Sequence, residues 1–294
     1  MIYVNITGGL GNQLFQYAFA RKIQRETDQN ITLNIFELQK YDNKRRFELD
    51  KFDLVNHVKI SGQKPPWYVH RRSIVGKVIR KFSERVMFSI GLLHNSCVWY
   101  GEKKISIPLF NKDKDIYIGG YWQMGEYSND IIEELRLDFT LQSQYREEVK
   151  KWESIISNVE DSVCLHIRRG DYVGTPYEVC TIKYYEAGIK YICAKLKKPE
   201  IFVFSDDMEW TKKNIKCSEN INYIDEGYKG YQDMYLMSLC HNFIISNSTF
   251  SWWGQHLSDR NKIVIAPSKW HKKIDNISLY EKSWILITDK GEVL

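Results

Sequence analysis

A histidine, two arginines and an aspartate follow one short apolar run in the second half of the chain. Residues 162–165 are the apolar run, and residues 166–172 read HIRRGDY. The run predicts a buried strand, and strand ends in an α/β sheet open onto the ligand crevice. Arginine suits a phosphate there, because its planar guanidinium donates two parallel hydrogen bonds. Successive arginines point in different directions, and we expect Arg168 to face the crevice; the alternative is a surface salt bridge with Asp171.

A run of small polar residues marks another predicted strand end. Residues 246–254 read SNSTFSWWG and lie between a predicted strand and a predicted helix. Hydroxyl groups and free amides at a helix start bind phosphate well, so this segment is a candidate phosphate site. The alternative is a plain helix N-cap, which needs only one of these residues.

A glycine-rich turn follows the first predicted strand. Residues 8–12 read GGLGN, and Gly9 and Gly11 would let the backbone approach a ligand closely. Asn12 is expected to cap the helix that follows. The alternative is a tight strand-to-helix turn without a ligand. A dinucleotide fingerprint would need a third glycine where Leu14 stands, so an NAD site is disfavoured.

Several aspartates could contact a ligand. Asp233 lies at the start of a predicted helix, where its carboxylate could accept two hydrogen bonds from guanine or could simply complement the helix dipole. Asp206 and Asp207 could bind metal or ribose, or cap a helix. Residues 113–115 match a D-x-D metal pattern but lie in a lysine-rich stretch typical of a solvated loop. No His or Cys cluster has ligand spacing, so we predict no metal.

Composition and periodicity predict two α/β domains. The chain has 294 residues, 43% of them apolar, which allows a sizeable core. Strands and helices alternate from residue 162 onward, which predicts a parallel sheet, and the first 36 residues begin as strand–helix–strand. We place the boundary between 1–158 and 159–294. The net charge of +5 is mild, and no Lys/Arg run is interleaved with aromatics, so we expect no nucleic-acid partner.

The three motifs together resemble the α-1,2-fucosyltransferases of glycosyltransferase family 11. The matching segments are residues 8–18, 166–172 and 246–254, with a weaker match at 204–207, and they occur in family order along nearly the whole chain. The resemblance implies a GT-B-like fold, in which two Rossmann-like domains face each other across a cleft. Residues 1–158 would form the acceptor side and residues 159–294 the side that binds GDP-fucose.

The resemblance also implies an activity. L-fucose would pass from GDP-fucose, with inversion and without a metal or other cofactor, to the 2-hydroxyl of a galactose-terminated oligosaccharide. The alternative is a non-catalytic nucleotide- or glycan-binding protein with a decayed transferase fold. By analogy with distant fucosyltransferases, the implied donor contacts are His166 and Asp233 to guanine, Arg168 to the β-phosphate, and Ser248, Thr249 and Phe250 around pyrophosphate and base. The candidate general bases are Asp171 and Glu178, and Asn12 would orient the acceptor or the sugar.

The chain is expected to be cytoplasmic. No basic leader precedes the first predicted strand, and no apolar run approaches the roughly 18 residues needed to span a bilayer. Residues 71–82 could form a basic amphipathic helix on anionic lipid, which would suit a lipid-linked acceptor at the inner membrane surface. The alternative is an ordinary packed helix with solvated lysines.

Overall fold

The computed structural model divides into two compact units, Met1–Phe139 and Thr140–Leu294. It describes residues 1–42, 44–55, 58–65, 97–100, 115–217, 220–260, 262–274 and 277–294. The division comes before the predicted boundary at residue 158, because the intervening helices pack within the second unit. There Trp152 Nε1 donates to Glu226 Oε1 at 2.6 Å, and Gln232 Nε2 donates to Glu148 Oε2 at 2.7 Å. The predicted helix at 71–82 and the first two residues of the D-x-D pattern lie outside the described residues.

The first unit contains a five-stranded parallel sheet with the order β3-β2-β1-β5-β4. Its strands are β1 (Ile2–Asn5), β2 (Ile31–Asn34), β3 (Val58–Ser61), β4 (Cys97–Tyr100) and β5 (Ile116–Gly119). Its helices in the described residues are α1 (Leu10–Thr27), α2 (Phe36–Tyr41), α3 (Glu126–Asn129) and α4 (Ile132–Asp138), with a 3-10 turn at Leu49–Lys51. The strand order reverses between β1 and β5, where a doubly wound sheet opens its ligand crevice.

Helix α1 packs its predicted apolar face into the core. Leu14, Phe19 and Ile23 are fully buried. Tyr17 on this helix donates to Asp138 Oδ2 at 2.9 Å, and Arg21 Nε donates to the same oxygen at 2.6 Å. The buried Asp138 carboxylate is thus neutralised and hydrogen-bonded, which links α1 to the end of α4.

The second unit has the Rossmann strand order. Its six parallel strands run β11-β10-β9-β6-β7-β8, which is 6-5-4-1-2-3 when β6 is counted as the first. They are β6 (Ser162–Ile167), β7 (Glu200–Ser205), β8 (Asn220–Tyr223), β9 (Asn242–Ile244), β10 (Ile263–Pro267) and β11 (Ile285–Ile287). The helices are α5 (Ser143–Glu147), α6 (Lys150–Ser157), α7 (Ile182–Cys193), α8 (Met208–Asn214), α9 (Gly230–Ser238) and α10 (Thr249–His256), with a 3-10 turn at Ile277–Leu279.

Strand order decides which segments meet in the second unit. β6 pairs with β9, and Leu165 is registered with Ile244. Both residues are fully buried in the apolar core of this unit. Because parallel strands end at the same edge, the segments that begin at residues 166 and 245 emerge side by side at the point where the strand order reverses.

Candidate active site

His166 joins the two segments at this edge. The residue is 4% exposed, and its Nδ1 lies 3.0 Å from the Ser246 hydroxyl and also within hydrogen-bond distance of the Ser251 hydroxyl. The two serine hydroxyls are 2.9 Å apart. Burial, helped by the charge of Arg168, lowers the pKa of His166 to about 3. The imidazole is therefore neutral at physiological pH and connects the end of β6 to the start of α10.

Arg168 is held between two carboxylates. Its Nε and Nη2 donate to Asp171 Oδ1 at 3.1 and 2.6 Å, and its Nη1 lies 3.1 Å from Asp206 Oδ2. The salt bridge proposed as the alternative therefore exists. The Arg168 side chain is 20% exposed, Asp171 is 51% exposed and Asp206 is 25% exposed. Asp171 is thus the more solvated of the two partners.

Asp206 also shapes the turn after β6. Its Oδ1 accepts a hydrogen bond from the Arg169 backbone N–H at 2.8 Å. A Cβ at Gly170 would lie 2.5 Å from Asp206 Oδ2, so a larger residue there would force the Asp206 side chain to shift. Arg169 points elsewhere, since its Nε donates to Asp207 Oδ2 at 3.2 Å and its guanidinium stacks 3.7 Å from the Trp210 ring centre. The role of Asp206 in this turn was not predicted, because its contacts join residues distant in the chain.

The β9–α10 turn contains the N-cap of α10 and a buried asparagine that hydrogen-bonds two neighbouring loops. Ser248 is the N-cap of α10, and its hydroxyl accepts from the Phe250 backbone N–H at 3.2 Å. Thr249 and Phe250 are partly exposed, and the Phe250 ring lies 5.4 Å from the His166 ring. Asn247 is buried, and its Nδ2 donates to the backbone carbonyls of Tyr177 and Trp270, both at 2.8 Å. Asn247 therefore holds neighbouring loops in place.

Two further predicted acidic residues are Asp233 and Glu178. Asp233 lies in the first turn of α9, and burial, together with the charge of Glu226, raises its pKa to about 7. Glu178 Oε2 accepts from the Gly174 backbone N–H at 3.2 Å, which stabilises the loop after β6. Asp233 therefore changes its charge near neutral pH, whereas Glu178 has a local structural partner.

The glycine turn of the first unit is built around Gly8. Gly8 has a φ of +80°, and a Cβ there would lie 2.6 Å from Asn12 Nδ2. Gly9 is the N-cap of α1, and Gly11 is buried within the helix. The predicted capping role of Asn12 is wrong, because Asn12 lies inside α1. Its Oδ1 instead accepts from Gln123 Nε2 at 2.9 Å, a residue in the loop after β5.

Two buried glutamines of α1 hold this turn. Gln13 Nε2 donates to the carbonyls of Gly8 and Arg46 at 3.0 and 2.7 Å. Gln16 accepts from the Thr7 backbone N–H at 3.1 Å and donates to the Gly120 carbonyl at 3.0 Å. The two glutamines of the segment 8–18 therefore have a structural role in this turn, and no local sequence signal predicted that role.

The described structure brings some of the predicted site residues together. His166, Phe250 and Ser248 lie at one corner of the second sheet, and Arg168 and Asp171 form an ion pair at the end of β6. Among the residues that the structure describes, no group of three or more His, Cys, Asp or Glu side chains could hold a metal ion. No helix in the described ranges is both long and apolar enough to cross a bilayer.

Comparisons with known proteins agree on one family. The model of glycosyl transferase family 11 matches residues 1–288. The chain is 30% identical to the O-antigen biosynthesis glycosyltransferase WbnK of Escherichia coli, over 97% of this chain and 99% of that protein. It is 31% identical to an alpha-1,2-colitosyltransferase of Escherichia coli, over 98% and 99%.

A solved structure supports the fold. The NodZ alpha-1,6-fucosyltransferase co-crystallized with GDP is similar, with a TM-score of 0.56 and 13% identity over 100% of this chain and 96% of that one. The GT-B-like α/β fold predicted from the sequence is thus confirmed, with a Rossmann-like parallel sheet in each unit. The family predicted from the three motifs is confirmed as well. The chain belongs to glycosyl transferase family 11.

Proposed function

We propose that the chain transfers L-fucose from GDP-fucose to the 2-hydroxyl of a terminal β-galactoside, with inversion and without a metal. The observation that carries the proposal is the pairing of β6 with β9, which brings Arg168 and the 246–251 turn to one sheet edge. Both segments belong to the motifs that resemble α-1,2-fucosyltransferases. In this proposal the second unit binds the donor, and the first unit contributes to binding of the acceptor.

Arg168 and the start of α10 have the chemistry that the leaving group requires. As the glycosidic bond breaks, negative charge develops on the β-phosphate, and fixed donors can stabilise it. The Arg168 guanidinium supplies the positive charge, and the first amides of α10 supply the helix-terminus field. Neutral His166 supports the geometry of the corner and adds no charge. Ser248, Thr249 and Phe250 would close around the pyrophosphate and base, and His166 and Asp233 would bind guanine.

The ion pairs of Arg168 suggest how a general base becomes available. A phosphate needs one edge of the guanidinium, and the Nε–Nη2 edge is occupied by Asp171. Asp171 is half exposed, whereas Asp206 is also bonded to the Arg169 backbone. We infer that the β-phosphate displaces Asp171, and that Asp206 keeps its contact with Nη1. The released Asp171 carboxylate can then accept the proton of the attacking hydroxyl.

Other candidate residues fit supporting roles. Glu178 is the alternative base, but its bond to the Gly174 N–H gives it a structural task in the loop. Asn12 would orient the acceptor or the transferred sugar, and Gln123 fixes the side-chain amide of Asn12. Gly9 and Gly11 would let the backbone of the first unit approach a ligand closely.

Colitose is the second candidate for the transferred sugar, because the alpha-1,2-colitosyltransferase relative spans the whole chain. Colitose lacks the 3-hydroxyl of fucose. A site that hydrogen-bonds this hydroxyl would reject colitose strongly, whereas an apolar contact there would accept it.

A donor and acceptor panel tests the proposal. Purified protein is mixed with GDP-fucose or GDP-colitose and with lactose or other galactosides, and product linkage is determined by NMR. We expect α-1,2-fucosylated product at the same rate with and without EDTA. Faster transfer from GDP-colitose than from GDP-fucose would mean that colitose is the transferred sugar. Loss of activity in EDTA would contradict the metal-independent route. Binding of GDP-fucose without product would support the non-catalytic alternative.

A further inference from the structure

Three aromatic rings form a partly exposed surface beside Arg168. Tyr172 and Tyr177 lie on the loop after β6, and their ring centroids are 5.3 Å apart. His271, on the loop after β10, meets the Tyr177 ring edge-on at 4.7 Å. We call Tyr172, Tyr177 and His271 the aromatic surface. Tyr177 is 45% exposed, so much of this large ring is in contact with solvent and is not part of the core.

The aromatic surface is held by hydrogen bonds of the backbone. The buried Asn247 amide donates to the carbonyls of Tyr177 and Trp270, which belong to the two loops that carry the rings. The Lys272 N–H donates to the Pro176 carbonyl at 2.9 Å between the same loops. The rings are therefore positioned without being buried. A preorganised side chain loses little conformational freedom when it binds a ligand.

The aromatic surface is continuous with the proposed donor site. The Arg168 guanidinium carbon lies 5.5 Å from the centre of the Tyr172 ring. The Tyr172 hydroxyl donates to the Asn247 carbonyl at 3.4 Å, and Asn247 immediately precedes the N-cap of α10. A ligand on the aromatic surface would therefore lie beside a sugar that leaves a phosphate at Arg168.

The chemistry of the aromatic surface fits a pyranose. A pyranose has a face of C–H bonds and a rim of hydroxyl groups, and tyrosine combines an apolar ring face with a polar edge. We propose that the aromatic surface is an acceptor subsite on which a pyranose ring of the galactoside acceptor packs. This inference rests on the proposed function, because it assigns the substrate that the surface receives.

Substitution at Tyr177 tests the subsite in the full-length protein. Tyr177→Ala should raise the KM for lactose about tenfold, because the stacking contact is lost. The KM for GDP-fucose and the slow hydrolysis of GDP-fucose should stay unchanged. Tyr177→Phe should restore the lactose KM, since packing needs only the ring. Val173→Ala is the matched control, because Val173 is 48% exposed on the same loop and lies outside the aromatic surface.

Two results would overturn the subsite. One is an unchanged lactose KM in Tyr177→Ala. The other is an equal increase in the KM for GDP-fucose, which would mean that the ring supports the loop and not the acceptor.

A measurement without donor separates the subsite from the proposed function. Saturation-transfer NMR with lactose should show signals from galactose C–H protons in wild type and Tyr177→Phe, and weaker signals in Tyr177→Ala. If the chain transfers no fucose but these signals depend on Tyr177, the proposed function fails and the subsite stands. If Tyr177→Ala fucosylates lactose normally and the signals are unchanged, the subsite fails and the proposed function stands.

Discussion

Removing the Arg168 side chain should abolish most of the turnover while the chain stays folded. In the proposed mechanism the guanidinium is the fixed positive charge nearest the β-phosphate. Arg168→Ala removes this charge and leaves the helix-start amides of α10 in place. Arg168→Lys keeps a charge, but one ammonium group cannot contact Asp206 and a phosphate in the forked geometry of arginine.

The expected size of the effect follows from the environment of Arg168. The side chain is 20% exposed, so an effective dielectric near 20 applies, and a unit charge about 4 Å away contributes roughly 4 kcal/mol. Asp206 offsets part of this field, which leaves about 3–4 kcal/mol for the transition state. That corresponds to a loss in kcat of about 100- to 1,000-fold. The free energy of unfolding of Arg168→Ala should differ from that of wild type by only about 1 kcal/mol, because the lost ion pair is with Asp171, which is half exposed.

Three measurements check this prediction. The first is kcat with GDP-fucose at saturating lactose for wild type, Arg168→Ala and Arg168→Lys, with the lysine variant expected between the other two. The second is the free energy of unfolding in urea, which shows whether the variants are folded. The third uses Arg169→Ala as the matched control, because Arg169 pairs with Asp207 and stacks on Trp210 and should tolerate removal. Near-normal turnover in folded Arg168→Ala, or an equal loss in Arg169→Ala, would refute the reasoning.

Three further predictions concern buried groups. GDP affinity should fall about tenfold per pH unit below pH 7, because guanine binding needs ionised Asp233, whose pKa is about 7. Calorimetry should show a smaller pH dependence of GDP affinity in Asp233→Asn. The contribution of His166 to the free energy of unfolding, measured as the difference between wild type and His166→Gln, should fall by about 2 kcal/mol between pH 7.5 and 5, since the unfolded His166 binds a proton near pH 6.5 and the folded one only near pH 3; a difference that stays constant over this range would contradict this. Tyr17→Phe should cost about 2 kcal/mol in urea unfolding, because buried Asp138 loses a hydrogen bond, and an unchanged midpoint would show that the bond contributes nothing.

The sequence alone predicted the elements and the motifs of the site. Local periodicity in the second unit predicts a strand at 162–167, a helix at 181–197, a strand at 200–205 and a helix at 250–258. The structure places β6, α7, β7 and α10 within a few residues of these bounds. Short strands such as β11 carried too little pattern to be predicted. A helix N-cap within the segment 246–254 was also readable, because a helix cap is a local interaction, and the structure shows that Ser248 is the residue that fills it.

Only the tertiary structure decided which residues meet and which side chains are already paired. Strand order, set by burial of both sheet faces, brings His166 beside Ser246, 80 positions away, and Gln123 beside Asn12, 111 positions away. The contact between Arg168 and Asp206 could not be predicted from the spacing of charges in the sequence, because it joins the end of β6 to the end of β7. The local sequence pattern predicts the secondary structure of a segment, whereas these contacts depend on packing between segments distant in the chain.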